Sequence, residues 1–253
     1  MNMPTADQRL AVCAKPEGRP HVMYQSWKEL LFLHWEFPAE DIQATLPPGL
    51  TVDTFEGRAF VGLVPFYMRG IRPRFCPALP GISNFLELNV RTYVFDEHGR
   101  PGVWFYSLDC NQALAVRVAR RFFHLPYFDA KMSAPTGQTS IDYVCDRKSD
   151  ESKTHITYQA GQRLAVPEPG SLEFFLLERY RLFSYNPKSS QLYSGRVHHV
   201  PYPAHEAIYE IHEEGSLRLA GFETDAKSPV HAVTSPGVDV KVYALERVPA
   251  IRG

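Results

Sequence analysis

The chain has 253 residues, 44% hydrophobic and 22% charged, which is ample apolar material for a core and excludes wholesale disorder. Its 27 basic and 28 acidic side chains leave a formal net charge of −1, so no global field is available to hold nucleic acid or an anionic bilayer. No apolar run approaches membrane-spanning length and the first twenty residues lack an apolar h-region, so the chain reads as soluble and cytoplasmic, without a signal peptide.

Residues 1–20 are polar and interrupted by Pro4, Pro16 and Pro20, which predicts a flexible arm ahead of a single domain over 21–253. Leu30 to Phe37 suits a strand, and Pro38 then opens a short helix carrying Ile42 and Leu46 on one face, stopped by Pro47-Pro48-Gly49. Leu50–Phe55 and Ala59–Tyr67 read as a hairpin turning at Glu56-Gly57-Arg58. By composition the proline-rich stretch from Arg69 to Gly81 reads as a loop. Phe85–Phe95 is the clearest strand, and Val103–Leu108 returns beside it after Asp96–Arg100. Asp109 or Asn111 is placed to cap a helix from about Gln112 to Phe123, ended by Leu125-Pro126.

Strand-like runs follow near 130–133, 141–146, 154–159 and 162–166. Gly170-Ser171 caps a second helix over Leu172–Phe183. Further strands are expected near Leu192–His198, Ala207–Ile211, Leu217–Phe222 and Val238–Leu245. Many short strands with two substantial helices predict a β-rich α+β fold, a barrel capped by helices.

The strongest local pattern is Leu86-Glu87-Leu88-Asn89-Val90-Arg91-Thr92-Tyr93. Strand alternation puts Glu87, Asn89, Arg91 and Tyr93 on one face, which is either the wet face of a sheet or the lining of a barrel interior. Glu87 and Arg91 lie roughly 13 Å apart along a strand, so they cannot simply satisfy each other. Arg91 suits a planar carboxylate and Glu87 a general acid or base. Val103–Asp109 supplies a second wall, with Phe105, Ser107 and Asp109 expected to face one way. Ser107 lacks the G-x-S-x-G context of a nucleophile elbow. On the following helix Arg117, Arg120 and Arg121 read as a solvated face, from which Arg120 alone can pair inward with a buried carboxylate.

Cys13, Cys76, Cys110 and Cys145 are isolated, which fits reduced thiols better than a disulfide or zinc framework. His198-His199, His205 and His212 cluster loosely among glutamates without any H-E-x-x-H, so no metal is assigned to them. His34, beside Trp35 in an apolar run, reads as a hydrogen-bonded core histidine. No phosphate-cradling glycine loop follows a strand, so no cofactor is assigned. Exposed edges of a barrel-like sheet leave a homo-oligomer open.

Several strings together resemble the YqjF-like family of uncharacterised bacterial proteins: Leu33-His34-Trp35, Leu46-Pro47-Pro48-Gly49-Leu50, Phe85–Val94, Gly102-Val103-Trp104-Phe105, Ala119-Arg120, Leu125-Pro126-Tyr127 and Glu178-Arg179-Tyr180. The resemblance runs from about Gln25 to Val248, and that family looks like a distant branch of the acetoacetate decarboxylase-like superfamily. It implies a β-barrel or cone of mainly antiparallel strands, open to a small-molecule cavity, with a few helices packed outside. In true acetoacetate decarboxylases a lysine after a Phe-Pro pair forms a Schiff base with the keto acid. Here Leu125-Pro126 is followed by Tyr127 and Phe128, neither able to form an imine. Lys131 lies four residues beyond, and Lys241 reaches a cavity only if Val240 and Val242 face outward.

The resemblance makes Glu87 the counterpart of the glutamate that accompanies that lysine, and Tyr127 a phenolic donor in the nucleophile's place. It thus implies acid–base or lyase chemistry on a small carbonyl or carboxylate compound, with Glu87 and Tyr127 catalytic and Arg91, Asn89, Tyr93, Ser107 and Arg120 binding. The alternative is a non-catalytic binding or sensing protein on the same barrel.

Overall fold

A strand whose apolar residues run on without alternation needs cover on both faces. Leu30–Leu33 and Phe60–Met68 have that character, and the fold supplies the cover. In the computed structural model residues 3–137, 139–150 and 152–249 are described, Val118 and Phe122 by backbone alone. Helix α1 (Ala6–Cys13) comes first, then strand β1 (Met23–Phe37), helix α2 (Ala39–Ala44) and strands β2 (Leu50–Val52), β3 (Ala59–Pro73), β4 (Phe85–Asp96) and β5 (Pro101–Cys110). Helix α3 (Ala113–Phe123) leads to strands β6 (Tyr127–Ser133), β7 (Ile141–Arg147) and β8 (Lys153–Arg163). Helix α4 (Leu172–Leu177), strands β9 (Arg181–Asn186), β10 (Gln191–His198) and β11 (His205–Glu214), helix α5 (Gly215–Leu219) and strands β12 (His231–Val242) and β13 (Glu246–Arg247) complete the order.

The thirteen strands form one sheet, ordered β13-β10-β9-β5-β6-β7-β8-β11-β12-β1-β3-β4-β2. Two further pairings, β4 with β5 and β10 with β12, close it on itself. The first completes a circuit through β5-β6-β7-β8-β11-β12-β1-β3-β4. The second completes a smaller one through β9-β10-β12-β1-β3-β4-β5. The expected antiparallel barrel is therefore two circuits sharing a wall, with parallel pairing where β5 meets β6 and β9.

Strands β1, β3 and β4 stand in the shared wall, and all twelve residues of β4 are buried. Leu31, Leu33, Val61, Leu63, Leu88 and Val90 pack toward Tyr143, Ile156 and Tyr158 in the larger circuit. Leu30, Phe32, Val64 and Phe66 pack the other way, toward Val197, Tyr202 and Val240. Outer strands β7 and β8 alternate between buried and accessible positions, as strands with one wet face do.

Local signals were overruled where the sheet recruited a segment. Turn residues Glu56 and Gly57 both take positive φ, at 51° and 79°, yet only Phe55 and Arg58 bridge across it, because β2 pairs with β4 instead. The second helix stops at Leu177 rather than Phe183, since residues 181–186 enter the sheet as β9 between β5 and β10. The strand expected over Leu217–Phe222 is absent, and its first three residues close helix α5 instead. Helix α3 is capped by Gln112, whose side chain accepts from the Leu114 N–H. Asn111 instead accepts from the Leu86 N–H, and Asp109 is committed elsewhere.

Part of the expected N-terminal arm is the helix α1, started by a reciprocal Thr5–Gln8 capping box. Arg9 binds Asp53, which also accepts from Arg179 Nη1 at 2.9 Å, and Arg196 Nη2 donates to the Val12 and Ala14 carbonyls at 2.7 Å. Asp53 is fully buried between its two guanidinium partners. Asp53→Ala leaves Arg179 buried without a counter-ion and should lower the urea-unfolding free energy by about 3–5 kcal/mol. A loss below about 1 kcal/mol would show that the triad contributes little.

Candidate functional site

Glu87, Asn89, Arg91 and Tyr93 alternate along β4 onto the smaller circuit's side, and all four are buried. This face is therefore not a wet one. Register places Glu87 beside Phe66 of β3 and Cys110 of β5, Asn89 beside Val64 and Leu108, and Arg91 beside Gly62 and Phe105.

Tyr127 begins β6 level with Leu108, so its ring enters the same interior. Its hydroxyl donates to Glu87 Oε2 at 2.8 Å. Burial raises the Glu87 carboxyl from its ordinary 4.5 to about 8; the Tyr127 hydrogen bond opposes that shift and the Asp109 carboxylate adds to it. Burial and the neighbouring Glu87 push Tyr127 far above the ordinary phenol value. At neutral pH the pair is mainly a carboxylic acid beside a neutral phenol, and the acid is poised to give or take a proton near that pH.

At the other end of the strand, Arg91 Nη2 donates to the Leu176 carbonyl at 3.2 Å and to the Tyr93 hydroxyl at 3.3 Å, and its guanidinium lies 5.4 Å from the Phe32 ring. Among the described residues no carboxylate lies within ion-pair distance of it, and its buried Nε has no partner; neither has the buried Oδ1 of Asn89. The Tyr93 hydroxyl donates to the Leu176 carbonyl at 2.8 Å, so it must accept from His34 Nε2, 2.6 Å away. His34 Nδ1 lies 3.0 Å from His231 Nδ1. Burial, then the neighbouring His231 and Arg91, lowers His34 well below 6.5; burial lowers His231 to about 4 despite Glu173. Both rings are thus neutral, and the chain assigns His34 the Nε2–H tautomer and His231 the Nδ1–H tautomer. The buried Nε2 of His231 is left bare at its end. Gly62 makes this possible, because a Cβ there would come 2.9 Å from the His34 ring.

Three of the anticipated residues stand elsewhere. A bulge in β5 sets Ser107 opposite Val90 and Phe105 opposite Arg91, with Tyr106 as the extra residue. Ser107 therefore faces the larger circuit with Asp109, away from Glu87, while Phe105 stays on the Arg91 side. Asp109 neither caps a helix nor joins the Glu87 face. It is held by Arg147 Nε at 2.6 Å and Nη2 at 3.1 Å, and by Ser216 Oγ at 3.2 Å. Arg120 does not pair inward: exposed on α3, it donates Nε–H to the Tyr127 carbonyl at 2.6 Å.

The lysines are outside as well. Val240 and Val242 face the core, which turns Lys241 outward, and Ala130 does the same to Lys131. None of the eight lysines is buried. His199 packs against Tyr180 and His212 against His155, and among the described residues no group of three or more His, Cys, Asp or Glu converges as metal ligands would.

Sequence reasoning missed His231 and the Asp53–Arg179 pair, whose partners lie 197 and 126 residues away along the chain. Glu178, quoted only as part of a string, accepts from the Tyr180 hydroxyl at 2.7 Å and the Tyr202 N–H at 3.1 Å.

Two measurements check this geometry. Long-range ¹H–¹⁵N spectra between pH 6 and 8 should show the tautomers assigned above; the reverse assignment would break the chain at Tyr93. For Glu87, the folded protein retains between about pH 4.5 and 8 a proton that the unfolded chain releases, so its contribution to stability falls as pH rises through that window. Glu87→Gln should thus gain stability relative to the parent from pH 5 to pH 8, by about 3 kcal/mol. A pH-independent difference in paired urea titrations would refute the raised carboxyl.

No described helix is long and apolar enough to cross a membrane. One protein is similar in sequence and two solved structures are similar in fold. The chain is 41% identical over 227 residues to the uncharacterized protein YqjF of Bacillus subtilis (strain 168), covering 89% of this chain and 88% of that one. It superposes on acetoacetate decarboxylase from Legionella pneumophila with a TM-score of 0.65 at 15% identity, covering 98% and 96% of the two chains. The enduracididine biosynthesis enzyme MppR, complexed with pyruvate, matches with a TM-score of 0.61 at 12% identity over 92% of each chain. At such identities the likeness is one of fold: the chain has an acetoacetate decarboxylase-like architecture. Residues 24–239 match the family DUF2071, described as an uncharacterized conserved protein, and the chain belongs to that family.

Proposed function

We propose that this protein binds a small oxo- or hydroxy-acid inside the smaller circuit and acts on it by acid–base or lyase chemistry without a Schiff-base lysine. The observation that carries this reading is one buried strand face with a proton donor at one end and an uncompensated cation at the other. Glu87 and Tyr127 form the donor pair, and Arg91 is the guanidinium without a carboxylate. Burying a charge without a counter-ion is costly, and a bound carboxylate would supply one. Asn89, between them, offers an acceptor to a ligand hydroxyl. The neutral Glu87 acid would donate to a carbonyl oxygen, polarising it, and take the proton back. Tyr93 is a positioning residue, orienting Arg91.

Pyruvate in the structurally similar MppR supports a ligand of this class. That no lysine is buried supports chemistry without an imine. A second reading, a binding or sensing protein without turnover, draws on the enclosure of Glu87, which is only 2% exposed.

The test is calorimetric titration and turnover with a panel of small 2-oxo, 3-oxo and hydroxy acids, with borohydride trapping read by intact mass. Binding of one acid is expected, without a trapped adduct. Arg91→Met should weaken it by roughly 10- to 100-fold, the worth of a charge-assisted hydrogen-bond pair. Glu87→Gln should leave binding in place and abolish turnover; binding with no turnover in the parent would select the second reading. Unchanged affinity in Arg91→Met removes Arg91 from the site, and an adduct on Lys131 or Lys241 overturns the imine-free mechanism.

A further inference from the structure

Outside the two circuits, where the end of α3 meets β5 and β9, lies an open pocket of about 580 Å³, a size that small-molecule sites commonly have. Trp104, Tyr106 and Tyr185 supply flat walls and Pro126 a rigid one; Thr45 and the tyrosines add hydroxyls, and Arg120 and His124 are the basic side chains. No aspartate or glutamate lines it. The β5 bulge that turns Ser107 away also sets Tyr106 here, where its hydroxyl lies 2.8 Å from Thr45 Oγ1.

Two features show construction beyond a surface dent. The Nε–H of Arg120 is committed to the Tyr127 carbonyl, which fixes the plane of the guanidinium. Among the described residues no carboxylate pairs with it. His124 closes α3 in the left-handed conformation, φ 51°, a position where glycine or asparagine is the ordinary choice. A histidine there costs about 1–2 kcal/mol of backbone strain. It places its ring 5.1 Å from that of Tyr193 and beside the pocket.

The geometry points to a second binding site here, for a planar aromatic molecule bearing an anionic group. The rings would stack on its flat part, and Arg120 with His124 would take the anion. Either a carboxylate or a phosphate meets this chemistry, and the site is separate from the interior face of β4.

Indole-3-acetate and adenosine monophosphate distinguish the two anions; indole-3-acetamide and adenosine are their neutral counterparts. Each is titrated into ¹⁵N-labelled full-length protein. One anionic probe should give saturable shifts at the Trp104 indole and the Tyr185 amide, at least about tenfold tighter than its neutral counterpart. Arg120→Gln, with an unchanged unfolding midpoint, should weaken it by about tenfold or more, while Arg117→Gln, on the same helix outside the pocket, should not. His124→Gly should raise the unfolding midpoint by relieving strain and still weaken binding. Saturable shifts from neither anion, equal affinity for the neutral counterpart, or unchanged affinity in Arg120→Gln would each overturn the site.

Discussion

The wall of β1, β3 and β4 has protein on both sides, so a polar group on it has no water to fall back on. The two sides meet that constraint differently. Toward the larger circuit, Asp109 receives a two-point hydrogen-bonded Arg147 and the Ser216 hydroxyl, and Ser216 is itself held by Thr154. Every member of that set has a partner, as structural ion pairs require, and among the described residues beside it only the Ser107 hydroxyl is buried without one. Toward the smaller circuit, Glu87 receives a phenol rather than a cation, and Arg91 receives a carbonyl and a hydroxyl rather than an anion. The acid and the base of this face are kept apart by the length of the strand, and the polar atoms between them are incompletely matched. That asymmetry, more than the presence of any one residue, singles out the interior face of β4.

Strand and turn positions on this wall were legible because a period of two and a long apolar run are local properties. The alternation of Glu87, Asn89, Arg91 and Tyr93 places them correctly on one face, and valines at 240 and 242 correctly imply an outward Lys241 if they are buried. The bulge at Tyr106 was not legible. It inverts Ser107 relative to Phe105, and only pairing with β4 shows it. Asp109 likewise looked like a helix cap, because capping is read from adjacent residues and the Arg147 partner is 38 away. The helix over Leu172–Phe183 was cut short because tertiary pairing to β5 and β10 outweighed local propensity. Partners distant along the chain leave no local trace, which is why His231 and Asp53 escaped notice.

The strings quoted for the family resemblance acquire separate physical reasons once folded. Gly102 is required where β5 and β9 pair in parallel, since a Cβ would come 2.8 Å from the Phe183 ring and 2.9 Å from the Arg181 carbonyl. Trp35 donates its indole N–H to the Lys227 carbonyl at 2.9 Å, tying β1 to the loop before β12. Glu178, Arg179 and Tyr180 serve three different contacts within one short link. Leu125-Pro126-Tyr127 differs from these, since it delivers a side chain into the interior beside a buried acid. A resemblance thus mixes positions that pack the scaffold with one that sets a polar pair in the interior.

The Arg91 end of the interior is also tied to the start of the chain. Leu176, whose carbonyl receives both Tyr93 and Arg91, belongs to α4, and the adjacent Phe175 carbonyl accepts from Arg179 Nε at 2.6 Å. Arg179 in turn shares Asp53 with Arg9 of α1, and both guanidinium groups lie against the Phe175 ring, at 4.2 and 5.2 Å. Helix α1 buries none of its own residues, so its grip comes through these polar contacts and those of Arg196. Through them α1 is linked to α4, and so to the carbonyl that holds Arg91. The N-terminal helix lies ahead of the segment matched by the family, yet it braces the element on which the candidate carboxylate anchor depends. Holding that anchor is therefore a property of the whole folded chain rather than of β4 alone.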